Sequence, residues 1–250
     1  LGIISGDESR ENLVSGFILK WVRDGIITIR ENESGAIVKK KNYDMYLDVD
    51  AKFENKQETA LYKMFIHASK DGVLQTKAFQ KWCSKHYKKI DDWFTKVDNV
   101  TEDSMNKNGY AKTKTIYKRL LFWNIPRDRT VWTDKAYDQC LYVWGFNNFL
   151  DDEDNMKEKA AIEVKLWDEY LIFAAVLGIA DRVEKQLKVA IPRYEETSTY
   201  NNFPIYYYTH TFAHNSMSAA SSAASAGQGG SSSFSGGGGG FSGGGGGGVR

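Results

Sequence analysis

Cysteine is scarce in this chain. Only Cys83 and Cys140 occur in 250 residues, far apart and in no recognisable spacing. Two cysteines are too few for a disulfide framework and fit a reducing compartment with two free, buried thiols, a single long-range disulfide being the alternative. Net charge is also lacking: 33 basic residues face 32 acidic ones, for a formal +1. Global charge therefore gives no reason to expect nucleic acid as a partner. Long apolar runs are missing too. The longest, Tyr170 to Ala180, contains Gly178 and falls well short of the roughly 20 residues a membrane-spanning helix needs. No secretory signal is visible. The chain begins at Leu1 rather than Met, so it reads as a piece of something longer, with any membrane anchor expected outside it.

What is present is enough to fold. Apolar residues make up 42% of the chain, including seven Trp, fourteen Tyr and thirteen Phe. Setting aside a Gly/Ser-rich end leaves roughly 190 residues, enough for a core without metals or disulfides. Leu13, Val14, Phe17, Ile18, Trp21 and Val22 form one stripe at helical spacing, with Ser5 or Asp7 as a cap and Asp24-Gly25 as a stop. Ile26, Ile27 and Ile29 then read as a strand, Glu31 to Gly35 as a turn, and Ala36 to Lys39 as the returning strand. Helix followed by a small hairpin is the back half of a winged-helix unit.

A second unit repeats the pattern. Leu61, Met64, Phe65 and Ala68 mark a helix over 59–69, Lys70-Asp71-Gly72 breaks it, and Val73-Leu74 is extended. Thr76 is placed to cap a longer helix through about Val97, and a shorter segment around Met105 leads to an Asn108-Gly109 stop. The third unit is purely helical, with a helix from Thr133 through Trp144, an acidic connection over Asp151 to Asp154, a helix from Ile162 to Gly178, and a last one over Ile179 to Ile191 stopped by Pro192. From about Glu196 the composition turns aromatic and polar, then Gly/Ser-rich, with fourteen of the 23 glycines between Gly227 and Gly248. Such a stretch is expected to stay disordered, because it buries too little to offset its ordering entropy. The expected fold class is mainly α (α+β): winged-helix-like units over 1–50 and 51–130, a helical unit over 131–194, and a disordered tail over 195–250.

The string Leu-Trp-Asp-Glu-Tyr-Leu-Ile-Phe-Ala-Ala-Val-Leu-Gly-Ile-Ala-Asp-Arg-Val-Glu-Lys-Gln-Leu runs from Leu166 to Leu187. With Trp-Gly-Phe-Asn-Asn-Phe from Trp144, the Ser-Ser-Ser-Phe-Ser-Gly-rich end, and the opening helix through Trp21-Val22-Arg23-Asp24-Gly25, it resembles the C-terminal region of the YciQ-like predicted membrane proteins of bacteria (domain of unknown function 2207). The resemblance implies a region on the cytoplasmic side of the bacterial cell membrane, anchored by segments outside this chain. It supplies no catalytic residues to carry over. Many relatives place a hydrophobic membrane hairpin between the second unit and the final helical unit. Here Thr113 to Thr130 occupies that place, and its Lys114, Lys118, Arg119, Arg127, Asp128 and Arg129 prevent it from spanning a bilayer.

Candidate chemistry is thin. Cys83 and His86 lie three apart on one helix, but a structural zinc site needs four ligands, and His67 is the only other nearby donor of that kind. His210 and His214 fall in the aromatic stretch and read as solvated. The Asp151 to Asp154 run lacks the alternating pattern of a calcium loop and reads as a solvated turn. Asp181 and Arg182 fit a helix-start acid beside a solvated base. No nucleophile elbow is present, and the tail glycines follow no strand that would make a phosphate cradle. The expectation is therefore no catalytic, cofactor or metal residues and no cofactor.

Charge is unevenly spread: between Lys70 and Arg119 twelve bases face six acids, and between Leu150 and Tyr170 eight acids face three bases. The leading expectation is a non-enzymatic interaction scaffold with a protein partner and an anionic membrane surface as a further one. The alternative is a winged-helix DNA-binding regulator whose Lys77, Lys81, Lys85, Lys88 and Lys89 track phosphates.

Overall fold

The computed structural model describes residues 9–34, 40–120, 123–152, 164–190 and 205–227. Eight helices and five strands lie among them. They are α1 (Arg10–Arg23), β1 (Ile27–Ser34), β2 (Lys40–Leu47), α2 (Lys56–Ala68), β3 (Val73–Gln75), α3 (Thr76–Lys85), α4 (Tyr87–Lys107), β4 (Ala111–Leu120), β5 (Trp123–Trp132), α5 (Asp134–Asp151), α6 (Val164–Val176), α7 (Ala180–Ala190) and α8 (Ile205–Gly227). The protein is mostly helical with two small antiparallel sheets.

The helix stops fall where glycine allows a left-handed backbone. Gly25, Gly72 and Gly109 have φ of 73°, 76° and 73°, conformations that other residues adopt only with strain. The starts differ from expectation. Ser5 and Asp7 lie outside the described residues, and Ser9 caps α1, accepting from the Asn12 amide at 3.4 Å. Thr76 does not cap α3. Gln75 stands at the cap position without a side-chain bond, and the Thr76 hydroxyl meets the Tyr208 hydroxyl at 3.3 Å instead. The long helix expected through Val97 breaks at His86, whose ψ of 32° ends α3 and opens α4. Beyond that break α4 runs on through Met105, so no separate segment exists there.

The first hairpin is longer than expected. Glu31 to Ser34 continue β1 rather than turning, and β2 begins at Lys40; 35–39, and with them the whole of the expected return strand, lie outside the described residues. Ile27 pairs with Leu47 and Ile29 with Met45, and Met45 pairs in turn with Leu74 of β3. These residues share the inward face, as the two-residue period of a strand requires. The pairing has a consequence for organisation: β3 comes from the expected second unit, yet it completes the sheet of the first. Both regions also share one apolar core, which includes Trp21, Met45, Phe65, Leu74, Phe79 and Phe94.

The largest departure is α8. Disorder was expected throughout 195–250, but Ile205–Gly227 is a helix of 23 residues packed against α1 and α3. Ile205, Thr209, Phe212, Ala213, Ser216, Met217 and Ala220 are buried along it, a stripe at steps of three and four. Small residues let backbones approach. Ser15 and Thr209 meet through their hydroxyls at 3.0 Å across the α1–α8 contact, and Ser216 donates to the Phe212 carbonyl at 2.7 Å. Its buried polar groups are thereby satisfied without water. Residues 195–204 and 228–250 lie outside the described residues, as do Ile162 and Pro192.

Trp21 sits at the centre of this core, fully buried. It packs edge-on against Tyr62 and Phe65, with ring centroids 4.9 and 5.3 Å away. Its indole N–H needs an acceptor in that setting, and the Glu58 carboxylate supplies one at 3.0 Å. Lys20 donates to the same carboxylate oxygen and so balances the buried charge.

Candidate interaction surface

Two structural parts carry apolar surface that the core leaves uncovered. The first is the β4–β5 arm. Lys112 pairs with Val131, and the register continues without a bulge to Leu120 opposite Trp123. At about 3.4 Å per residue, ten residues give an arm of roughly 30 Å. Its base is fixed: Ala111 is buried, and the Thr133 hydroxyl donates to the Gly109 carbonyl at 2.7 Å. Thr130 donates to Glu102 of α4 at 2.9 Å. Farther out, Ile116 and Tyr117 are exposed, Tyr117 to 70%.

The second part is α5. Thr133 caps it as expected, accepting from the Ala136 amide, and Lys135 ties its first turn to the Asn108 carbonyl at 2.9 Å. Ala136 and Leu150 are buried, and Phe146 packs edge-on against Tyr170 and Phe173 of α6. The opposite side is apolar as well. Tyr137, Leu141 and Trp144, at i, i+4 and i+7, are 61%, 51% and 47% exposed, and Tyr142 is 73% exposed. A helix apolar on every side is ordinarily buried on every side, yet this one leaves these four large side chains in water.

The lysines singled out in the sequence occupy a third surface. Lys77, Lys81 and Lys85 line the outer edge of α3 at four-residue steps, and Lys88 and Lys89 begin α4; all five are exposed. None forms an ion pair with a described residue. The inner side of α3, with Phe79 and Cys83, is sealed in the core.

The other candidates separate. Cys83 is fully buried, and burial pushes its thiol up to about 12. The His86 ring stacks on Trp82 at 4.4 Å, and its Nδ1 lies 3.0 Å from the Trp82 carbonyl. His67 is exposed on α2. Among the described residues, no group of three or more His, Cys, Asp or Glu is placed to hold a metal. His210 and His214, expected to be solvated in a mobile stretch, lie on α8, where their rings stack on one another at 6.4 Å. His214 faces Glu11 of α1 at 3.7 Å. Asp181 pairs with Lys185 one turn along at 2.7 Å. Of the acidic run, Asp152 is exposed, and 153–154 lie outside the described residues. Both cysteines are free, with Cys140 half-buried.

Residues 119–187 match the family model described as predicted membrane protein (DUF2207) C-terminal domain. The matched stretch takes in the last two residues of β4, all of β5, α5 and α6, and most of α7. The resemblance read from the Trp144 and Leu166 strings is thus shown over this stretch, and the aromatic surface of α5 falls wholly inside it. No curated protein and no solved structure matches the chain. Among the described residues, no helix is long and apolar enough to cross a membrane.

Sequence reasoning missed both the arm and the outward face of α5. The arm had a readable signal in the alternation Lys112-Thr113-Lys114-Thr115-Ile116-Tyr117. The α5 stripe was legible as a helix but not as exposed, since apolar spacing alone does not say which side a neighbour covers.

Proposed function

We propose that this chain is a non-enzymatic interaction scaffold belonging to a membrane protein and lying on the cytoplasmic side of the bacterial cell membrane. The observation that carries this reading is the outward aromatic row Tyr137, Leu141 and Trp144 on α5. Contiguous exposed apolar surface of this kind marks a contact site in soluble domains, and aromatic anchors dominate the energetics of such contacts. The description of the matched family supports the membrane setting. The helix-then-hairpin order of α1, β1 and β2 is compatible with a winged-helix-like origin for the first unit.

The test places a photo-crosslinking residue at Tyr142 or Trp144 in the intact gene product within native membranes, with exposed Lys63 of α2 as the control position. A discrete protein adduct from the α5 positions and none from the control is the expected result. Adducts of equal yield from all three positions, or an intact product found wholly in the soluble fraction, would overturn the reading.

One observation favours a second reading. Lys77, Lys81 and Lys85 form a cationic edge on α3 that pairs with no described acid, continued by Lys88 and Lys89. A winged-helix DNA-binding regulator would use such a row on phosphates. Binding to duplex DNA that collapses steeply as salt rises, and that is lost with Lys77→Gln and Lys81→Gln, would support it. Absence of a gel shift at low salt would remove it.

A further inference from the structure

The register of the arm fixes which of its backbone groups turn outward. The Thr133 amide donates to the Tyr110 carbonyl at 3.1 Å, so that pair is of the hydrogen-bonded kind, and antiparallel pairs alternate in kind along a ladder. Lys112 with Val131, Lys114 with Arg129 and Ile116 with Arg127 therefore exchange ladder bonds. The positions between them, Thr113 and Tyr117 included, aim N–H and C=O away from the paired strand. The two edges are not alike. Tyr117 pairs with Pro126, which has no N–H to offer, and proline blunts an edge against further pairing. β4 contains no proline. Among the described residues no other strand pairs with β4, and Lys112 to Tyr117 are all exposed, on both faces.

Side chains give this edge a chemistry. Lys112, Lys114 and Ile116 share one face, as every second residue of a strand does, and Val131 lies opposite Lys112 on it. Neither lysine pairs with a described acid. Glu102, which accepts from Thr130, meets the other face, the one that Thr130 shares with Thr113. A strand added antiparallel along β4 would stand opposite Lys112 and Lys114 at non-hydrogen-bonded positions, where cross-strand side chains come closest. Acids there would pair with both lysines. Lysine on an edge also discourages indiscriminate pairing, which leaves an acidic strand as the favoured one. A second copy of β4 fits badly, because the strand holds four cations and no acid and like charges across a ladder destabilise it.

We propose that the open edge of β4 takes an extended acidic segment of a partner protein as a third strand. From its N-terminal end, that segment puts an apolar residue opposite Ile116, which is 38% exposed, and then acids at every second position, opposite Lys114 and Lys112. Main-chain bonds supply the affinity and the alternating side chains the selectivity. A lone two-stranded hairpin is marginal in water, and a third strand with two close charge pairs stabilises it. This edge belongs to a different element from the aromatic row of α5, so crosslinking at Tyr142 and capture of a strand on β4 fail separately.

The test adds an excess of the synthetic peptide Thr-Val-Thr-Glu-Thr-Glu-Thr to the full chain and follows amide hydrogen exchange over residues 111–117. Slowed exchange there, weakening as salt rises, is the expected result. The same peptide with Lys for Glu should give none. Nor should Thr-Val-Thr-Glu-Pro-Glu-Thr, which keeps the charge and loses a strand donor. Lys112→Gln and Lys114→Gln should each weaken binding about two- to fivefold. Lys112→Glu with Lys114→Glu should reverse the preference, so that the lysine peptide binds and the acidic one does not. Thr113→Pro removes an outward N–H and no ladder bond, and should abolish binding, whereas Lys77→Gln with Lys81→Gln should leave it unchanged. Circular dichroism and thermal melts check that the arm variants keep the parent fold. Unchanged exchange with the acidic peptide would overturn the proposal, as would equal protection by the lysine or proline peptide. A folded charge-reversed variant that keeps the original preference would overturn it too.

Discussion

The rings of Phe79 and Phe212 stack nearly parallel, 5.2 Å apart at 12°. One belongs to α3 and the other to α8, and Phe65 of α2 closes the group at 4.3 Å from Phe79 and 5.8 Å from Phe212. The consecutive helices α2 and α3 thus meet the sequence-distant α8 through three rings.

That cluster sets the first expectation. Phe212→Ala removes a fully buried ring and should cost about 3–5 kcal/mol, read by urea denaturation. Ending the chain before Ile205 should abolish cooperative unfolding, whereas ending it after Gly227 should leave the melting temperature close to that of the parent. A cooperative transition in the shorter chain would show that α8 is dispensable.

Gly16 and Val176 define how closely α1 and α6 approach. A Cβ added at Gly16 would lie 2.8 Å from Val176 Cγ2, and valine is stiff at χ1. Gly16→Ala should therefore destabilise by about 1–3 kcal/mol, despite the helix-propensity gain that alanine normally brings. Adding Val176→Ala should recover part of that loss. A double-mutant cycle measures the coupling, and strictly additive losses would refute the close contact.

The two cysteines should differ in reactivity. Cys83 is fully buried, with its thiol held up near 12 by desolvation, while Cys140 is half-buried on α5. Since the thiolate is the nucleophile, alkylation of the native protein should modify Cys140 first and Cys83 only after denaturation. Mass spectrometry of digests distinguishes the order, and labelling of Cys83 at a comparable rate in the native protein would contradict it.

Alkali should loosen the fold through Tyr208. Its phenol donates to the Tyr43 carbonyl at 3.0 Å, and its pKa is pushed up to about 12, chiefly by burial, with the Asp44 charge adding and the Thr76 hydrogen bond opposing. The folded state then holds this proton more tightly than the unfolded chain does, so the stabilisation is complete below the ordinary tyrosine range and is lost as pH climbs toward 12. Tyr62 and Cys83 shift the same way. Tyr208→Phe should therefore flatten the alkaline decline without abolishing it, and should cost about 1 kcal/mol at neutral pH. An unchanged alkaline slope would exclude this role.

Much of the helical framework was readable because its stops are glycines and its stripes are strongly apolar. Gly25, Gly72 and Gly109 each end a segment where the sequence places a stop, and Trp21, Phe65 and Phe79 each face the core. Helix α8 was not readable by the same rule. Its stripe uses Thr209, Ala213, Ser216 and Ala220, which carry little hydrophobicity individually and are buried because their small size admits a neighbouring backbone. Composition suggests a solvated tail there, whereas the spacing alone shows a helix face. The break at His86 was likewise hidden, since nothing in Lys85-His86-Tyr87 is a conventional helix breaker. For the surfaces, the lysine row of α3 was visible from its four-residue period.

The position of α8 in the chain also governs when the protein can become itself. Every helix that it covers is synthesised earlier, so the sides of α1 and α3 that α8 covers emerge from the ribosome bare. They stay that way until Phe212 and Ala220 are available. A nascent chain arrested upstream of Ile205 would present a sticky trough to chaperones and proteases, and release of the finished chain would close it in one step.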